Sequence, residues 1–164
     1  MKLLLRQSSL LVFVFLALPM MTYAQAQNEI TESQLTAYVN AVDSVARKGN
    51  IAAVGSTLAN DVKIKMRIVV PNSDQEKVLT LTKQQFTVNT RSVMRRRLAY
   101  SLERKNTRFK IYEAGKIASV TSDIYETLTL KAGTVRGVSS EVCILELRNG
   151  KLLVTSIEAR TRLY

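Results

Sequence analysis

The spacing of apolar residues changes from a helical to an alternating period near residue 60, and this change constrains the fold most. From Leu35 to Leu58 the apolar residues recur every three or four positions, as in helices that bury one face. From Val62 to Val70 they alternate with Lys and Arg, which predicts a strand with one buried and one cationic, solvated face. The chain therefore begins with helices and continues into a sheet.

Two capping boxes predict the starts of two helices. Thr31 with Gln34 and Thr82 with Gln85 have the Thr-x-x-Gln spacing in which side chain and backbone cap each other. The first helix is expected to end at "KGN" (48–50), where a glycine suits a helix C-terminus.

A short helix is expected between these two. Asn50 is a suitable N-cap for it, and Ile51, Val54 and Leu58 fall on one side. We expect this second helix to end at "LAND" (58–61).

The rest of the chain predicts strands. "KVLTLT" (77–82) is the expected antiparallel partner of the first strand, and four further antiparallel strands follow the third helix. A slip in the alternation across "RKNT" (104–107) predicts a bulge or a turn, and "RNGK" (148–151) is a strong hairpin signal. The predicted fold is α+β, with three helices in the N-terminal half packed on a curved, mostly antiparallel sheet.

The stretch "MRRRLAYSLERKNTRFKIYE" (94–113) is strongly basic. Arg95, Arg96 and Arg97 fall in the expected last turn of the third helix, where cations stabilise the negative end of the helix dipole. Most of its other Lys and Arg residues alternate with apolar residues, and we expect them to face solvent. The alternative is a surface that binds anions.

The N-terminus predicts export. Lys2 and Arg6 precede the apolar run "SLLVFVFLAL" (9–18), and small residues follow, which is the pattern of a secretory signal peptide. We expect residues 1–26 to be the signal peptide, cleaved after Ala24 or Ala26, and residues 27–164 to form one domain that is periplasmic or secreted. An uncleaved membrane anchor is the alternative, although the run is shorter than the roughly 20 residues of a membrane span.

Charge and residue types limit the partners and the chemistry. Removal of Lys2 and Arg6 from the 24 basic residues leaves 22 against 13 acidic ones, a net charge of +9. For an exported protein we expect no nucleic acid partner, and instead anionic lipid head groups, acidic glycans or a small carboxylate ligand. The chain has no His, which excludes His-dependent catalysis, and its one Cys, Cys143, is expected to be a buried apolar residue. We expect neither a cofactor nor a metal.

The order of elements resembles that of the nuclear transport factor 2-like superfamily, and of its exported SnoaL-like branch in particular. The segments that carry the resemblance are "NIAAVGSTLANDVKI" (50–64), "LTKQQF" (81–86), "IYEAGKIASVTSDIYETL" (111–128) and "LELRNGKLLVTSIEAR" (145–160). The resemblance implies a cone-shaped half-barrel with a pocket, and a homodimer formed through the sheet. Members include isomerases, cyclases, dehydratases and binding domains, and no catalytic motif of the family matches this chain.

One acidic residue falls on an apolar face. Glu126 shares parity with Val120, Ile124 and Leu128, so it is expected to project inward together with Ser122. A desolvated carboxylate there has a raised pKa and is a candidate general base.

Two explanations for Glu126 remain open beside this one: a twist of the strand to the rim, or an ion pair with an arginine. Tyr38 and Tyr100 are candidates to present hydroxyl groups to the same pocket, or else they are core residues.

Three functions are consistent with these patterns. The first is a domain that binds a small apolar or anionic molecule, or a partner chain. The second is a small cofactor-independent isomerase or cyclase with Glu126 as base, and the third is a basic protein that contacts anionic lipid or lipopolysaccharide.

Overall fold

A computed structural model describes residues 28–70 and 75–164, which form three α-helices, a short 3₁₀ helix (Glu113–Gly115) and six strands. The elements are α1 (Glu32–Arg47), α2 (Ile51–Ser56), β1 (Leu58–Val69), β2 (Glu76–Leu81), α3 (Lys83–Arg95), β3 (Arg97–Tyr112), β4 (Ile117–Leu130), β5 (Gly133–Arg148) and β6 (Lys151–Leu163). The predicted signal peptide lies outside the described residues, as do residues 71–74 between the first two strands.

The six strands form one curved, unclosed sheet in the order β2-β1-β6-β5-β4-β3. Strands β1 and β6 are parallel, and the other neighbouring pairs are antiparallel. Helix α1 packs on β3 and helix α3 packs on β1, so the helices cover one face, which we call the inner face. The predicted α+β arrangement of three helices on a mostly antiparallel sheet is confirmed.

Both capping boxes form, which explains where α1 and α3 begin. The backbone N–H of Gln34 donates to Thr31 Oγ1 (3.3 Å), and the N–H of Thr31 donates to Gln34 Oε1 (2.8 Å). The corresponding distances at Thr82 and Gln85 are 3.2 and 2.9 Å. Each box satisfies two N–H groups that have no partner within the helix.

The predicted end of the second helix is wrong. Helix α2 ends at Ser56, and "LAND" is the beginning of β1. Leu58 is aligned with Val154 of β6, whose N–H donates to Thr57 O (2.9 Å). Pairing with a strand from the far end of the chain therefore replaces the expected last helical turn.

The predicted end of the third helix is also wrong. Helix α3 ends at Arg95, Arg96 is its C-cap, and Arg97 is the first residue of β3. The register shifts between Arg97 and Ala99, and Leu98 between them is 64% exposed, although it shares the parity of Tyr100 on the inner face.

The other predicted irregularities of the sheet are confirmed. The register of β3 against β4 shifts between Lys105 and Arg108, and Asn106 has a φ of 53° there. The bulge therefore lies at the predicted segment. The β5–β6 hairpin turns at Asn149 (φ 51°) and Gly150 (φ 73°), which gives the positive φ values of a type I′ turn.

The core lies between the inner face and the helices. Its largest fully buried apolar side chains are Leu35 of α1, Ile64 of β1 and Leu145 of β5. Burial of each stabilises the fold by about 1.5–3 kcal/mol before entropy is considered. None of the helices in the described part of the chain is long and apolar enough to cross a membrane.

Candidate functional site

Five ionisable side chains meet on the inner face in what we call the interior polar cluster. They come from α1, β3, β4 and β5, and they are Asp43, Tyr100, Arg104, Glu126 and Glu141. All but Asp43 lie on the adjacent strands β3, β4 and β5. The register of these strands brings them close together, because Leu102 is aligned with Glu126 and Ser122 is aligned with Glu141.

Tyr100 and Glu126 form a close hydrogen-bonded pair. The Tyr100 hydroxyl donates to Glu126 Oε1 at 2.5 Å, and both side chains are partly buried. Burial raises the pKa of Glu126, although the hydrogen bond from Tyr100 opposes that rise. Burial and the nearby Glu126 charge also raise the pKa of Tyr100, so its hydroxyl remains a donor at neutral pH. The structure thus places Glu126 on the inner face, where it contacts Tyr100, one of the two candidate tyrosines.

Arg104 joins two acidic residues in a buried ionic group. Its Nη2 lies 3.0 Å from Asp43 Oδ1 and its Nη1 lies 3.3 Å from Glu141 Oε1. The side chains of Arg104 and Asp43 are only 12% and 5% exposed. Buried charges of this kind persist only when they are paired, because an unpaired one loses its hydration without compensation. The prediction that the charges of 94–113 face solvent is therefore wrong for Arg104.

The acidic partners of Arg104 were not predicted from the sequence, although both fall at inward positions of their elements. Asp43 lies four residues after Val39, on the apolar stripe of α1. Glu141 shares parity with Cys143 and Leu145. Periodicity therefore marks an inward charge on each of these elements, and the fold shows that the charges are partners.

Tyr38 and Ser122 have partners elsewhere on the inner face. The Tyr38 hydroxyl donates to Thr57 O (3.2 Å), and burial raises the pKa of Tyr38 to about 12. Ser122 is 2% exposed, and its Oγ lies 3.3 Å from Thr107 Oγ1. These contacts are those of satisfied core residues, whereas Tyr100 and Glu126 come together.

Cys143 packs against the core, and its thiol donates to Glu141 Oε1 (3.4 Å). Burial and the Glu141 charge raise the pKa of Cys143 well above its usual value. A thiol that stays protonated is a poor nucleophile, which is consistent with the predicted structural role.

Two clefts lie away from this cluster, on the side of α3. The first, of ≈ 310 Å³, lies between the α1–α2 junction and the end of α3, and its polar lining includes Asn50, Arg91, Arg95 and Arg97. The second, of ≈ 420 Å³, is lined by Val88, Arg91, Ser92, Arg95 and Arg96. Neither is lined by Glu126 or Tyr100.

Comparison with known proteins shows what this architecture is similar to. No family model and no curated protein matches the chain. Among solved structures, an NTF2-like protein of unknown function from Pseudomonas putida KT2440 matches with a TM-score of 0.60 at 13% identity, over 79% of this chain and 84% of that one. A ketosteroid isomerase-like protein from Erwinia carotovora atroseptica matches with a TM-score of 0.53 at 18% identity, over 77% and 92%.

A third neighbour, a protein named as a candidate scytalone dehydratase from Novosphingobium aromaticivorans, matches with a TM-score of 0.64 at 10% identity, over 77% of this chain and 80% of that one. At such identities the likeness concerns the fold, and a fold of this kind carries many functions. The order of elements, the sheet topology and these neighbours agree that the chain has the nuclear transport factor 2-like fold.

Proposed function

We propose that this protein is an exported binding domain that holds a small molecule at the Tyr100–Glu126 pair. The proposal rests on the partly buried carboxylate of Glu126. Within the described residues, its one side-chain hydrogen bond comes from Tyr100. A carboxylate offers about four acceptor positions, so Glu126 can still accept a hydrogen bond from a ligand. A hydroxyl or amine on that ligand would replace the hydration that Glu126 has lost.

The directly aligned strand neighbours of the pair are not polar, although Arg104 and Glu141 of the interior polar cluster also lie near Glu126. On the neighbouring strands Glu126 is aligned with Leu102 and Gly137, and Tyr100 is aligned with Leu128. Small-molecule sites are commonly apolar, with a few polar groups that fix orientation. The proposed ligand is therefore a compact apolar molecule with one hydrogen-bond donor.

The contacts among the side chains of the interior polar cluster favour binding over proton-transfer catalysis. Catalysis at a carbonyl compound would require Glu126 to take a proton from carbon while Tyr100 donates to the carbonyl oxygen. Here the proton of Tyr100 is directed at Glu126 itself, and the other acidic side chains of the cluster, Asp43 and Glu141, contact Arg104. The groups that would perform the chemistry stabilise one another instead.

A titration of the labelled protein with small cyclic alcohols and amines, followed by amide NMR, tests the proposal. We expect saturable shifts centred on Tyr100 and Glu126, and an affinity about tenfold or more weaker in Glu126→Gln, because hydrogen bonds to charged groups contribute about 1.5–3 kcal/mol. Tyr125→Phe, on the exposed outer face, is the matched control and should bind normally. Shifts centred elsewhere, or equal affinity in Glu126→Gln, would contradict the proposal.

Proton-transfer catalysis is the second candidate, because a carboxylate with a raised pKa lies within hydrogen-bonding reach of a tyrosine. One structural neighbour is named ketosteroid isomerase-like. Deuterium exchange at the α-carbon of cyclic ketones, followed by NMR in D₂O, separates the two functions. Binding alone predicts no catalysed exchange, whereas exchange that disappears in Glu126→Gln would replace our proposal with this one.

A further inference from the structure

We propose that the arginine-lined surface beside α3 is a second site, which binds the phosphate group of an anionic ligand. The two clefts share Arg91 and Arg95, and we call them together the arginine cleft. Arg97 completes the lining of the first cleft and Arg96 that of the second, so each cleft is lined by three arginines. Neither cleft has a carboxylate in its lining.

The guanidinium groups of Arg91 and Arg95 are available to a ligand. Both residues are exposed, and the part of the chain that the structure describes offers neither side chain a hydrogen bond or an ion pair. They lie four residues apart on α3, where like charges repel each other and destabilise a helix. No acidic residue of α3 offsets that repulsion, and a bound anion would relieve it.

Arg97 prepares the base of the cleft. Its Nη1 donates to Met94 O (2.8 Å) and its Nη2 donates to Lys48 O (3.0 Å), so it joins the ends of α3 and α1. Carbonyl groups at helix ends carry partial negative charge and would repel an anion, and Arg97 compensates two of them. Gly49 makes room for this arrangement, because a Cβ there would lie 2.4 Å from Arg97 Nη1.

The chemistry of the lining indicates phosphate. Guanidinium groups bind phosphate oxygens with paired, charge-assisted hydrogen bonds, and the planar fork of an arginine matches phosphate geometry. The cleft of ≈ 310 Å³ is large enough for a phosphate with a small substituent. The phosphate could belong to a soluble ester or to a lipid head group.

The experiment compares wild type with the double variant Arg91→Gln/Arg95→Gln. Calorimetry with inorganic phosphate measures the site directly, and sedimentation with phosphatidylglycerol vesicles, with phosphatidylcholine vesicles as blank, measures lipid binding. The matched control is Arg136→Gln/Arg162→Gln, which removes the same charge from exposed positions of the outer sheet face. Circular dichroism verifies that each variant is folded.

We expect saturable phosphate binding that weakens about tenfold or more in Arg91→Gln/Arg95→Gln and less than about twofold in the control. Vesicle binding that phosphate displaces would identify a lipid head group, and phosphate binding without vesicle binding would identify a soluble ester. Equal losses in the two double variants, vesicle binding that phosphate does not displace, or no phosphate binding would overturn the inference.

Discussion

Replacement of Arg104 by Met tests the buried ionic group at the centre of the inner face. Met has a similar length but no charge, so Asp43 and Glu141 would lose their shared partner. Removal of one member of a buried ion pair costs about 3–5 kcal/mol, because the remaining charge is dehydrated and unpaired. A domain of ordinary stability has about 5–15 kcal/mol in total, so the variant should fold but be much less stable.

Urea unfolding followed by far-UV circular dichroism measures this loss, since the chain has no Trp for fluorescence. With a slope of about 1.5–2 kcal/mol per M, the midpoint should fall by about 2 M. Arg160→Met is the matched control, because Arg160 contacts Glu76 at 3.2 Å but is 63% exposed. An exposed pair contributes about 0–1 kcal/mol, so the control should change little.

A loss below about 1 kcal/mol in Arg104→Met, as expected of an exposed pair, would show that the ionic group is not buried as described.

Three further predictions concern Glu126, Gly49 and the N-terminus. The pKa of Glu126 is raised on folding, so the folded state binds more protons than the unfolded state just above the usual pKa of Glu. The free energy of unfolding of wild type should therefore fall as pH rises through that window. Urea unfolding of Glu126→Gln should show no such pH dependence. Gly49→Ala should lower the free energy of unfolding by about 1 kcal/mol or more, since Gly49 has a φ of 71°, and an unchanged urea midpoint would contradict this. If the chain is exported as proposed, N-terminal sequencing of the protein from a periplasmic extract should begin at Gln25 or Gln27, whereas an intact Met1 would indicate an uncleaved chain.

Local features of the fold were predictable from sequence because they depend on neighbouring residues. The capping boxes and the Asn149–Gly150 turn require contacts or dihedral angles within three or four positions. The alternation from Val62 onward likewise specifies which face of β1 is buried. The end of α2 was not predictable in this way, because a strand near residue 154 decides it.

The site was predictable only in part for the same reason. The inward position of Glu126 follows from its parity, but its partner Tyr100 is 26 residues away and was one of two tyrosine candidates. Arg104 is separated from Asp43 by 61 residues and from Glu141 by 37. Hydrophobic periodicity shows that each charged residue lies on an apolar face, but it does not show which residues contact one another. Strand register and the crossing of α1 over β3 bring them together.

A carbon-13 NMR titration of the Glu126 carboxyl group tests the central claim most directly. The account predicts a pKa above the usual value for Glu, and a further rise in Tyr100→Phe, because the hydrogen bond from Tyr100 stabilises the charged form. An ordinary pKa that Tyr100→Phe leaves unchanged would mean that Glu126 is hydrated and unpaired. In that case the inner face would offer no desolvated pair for a ligand.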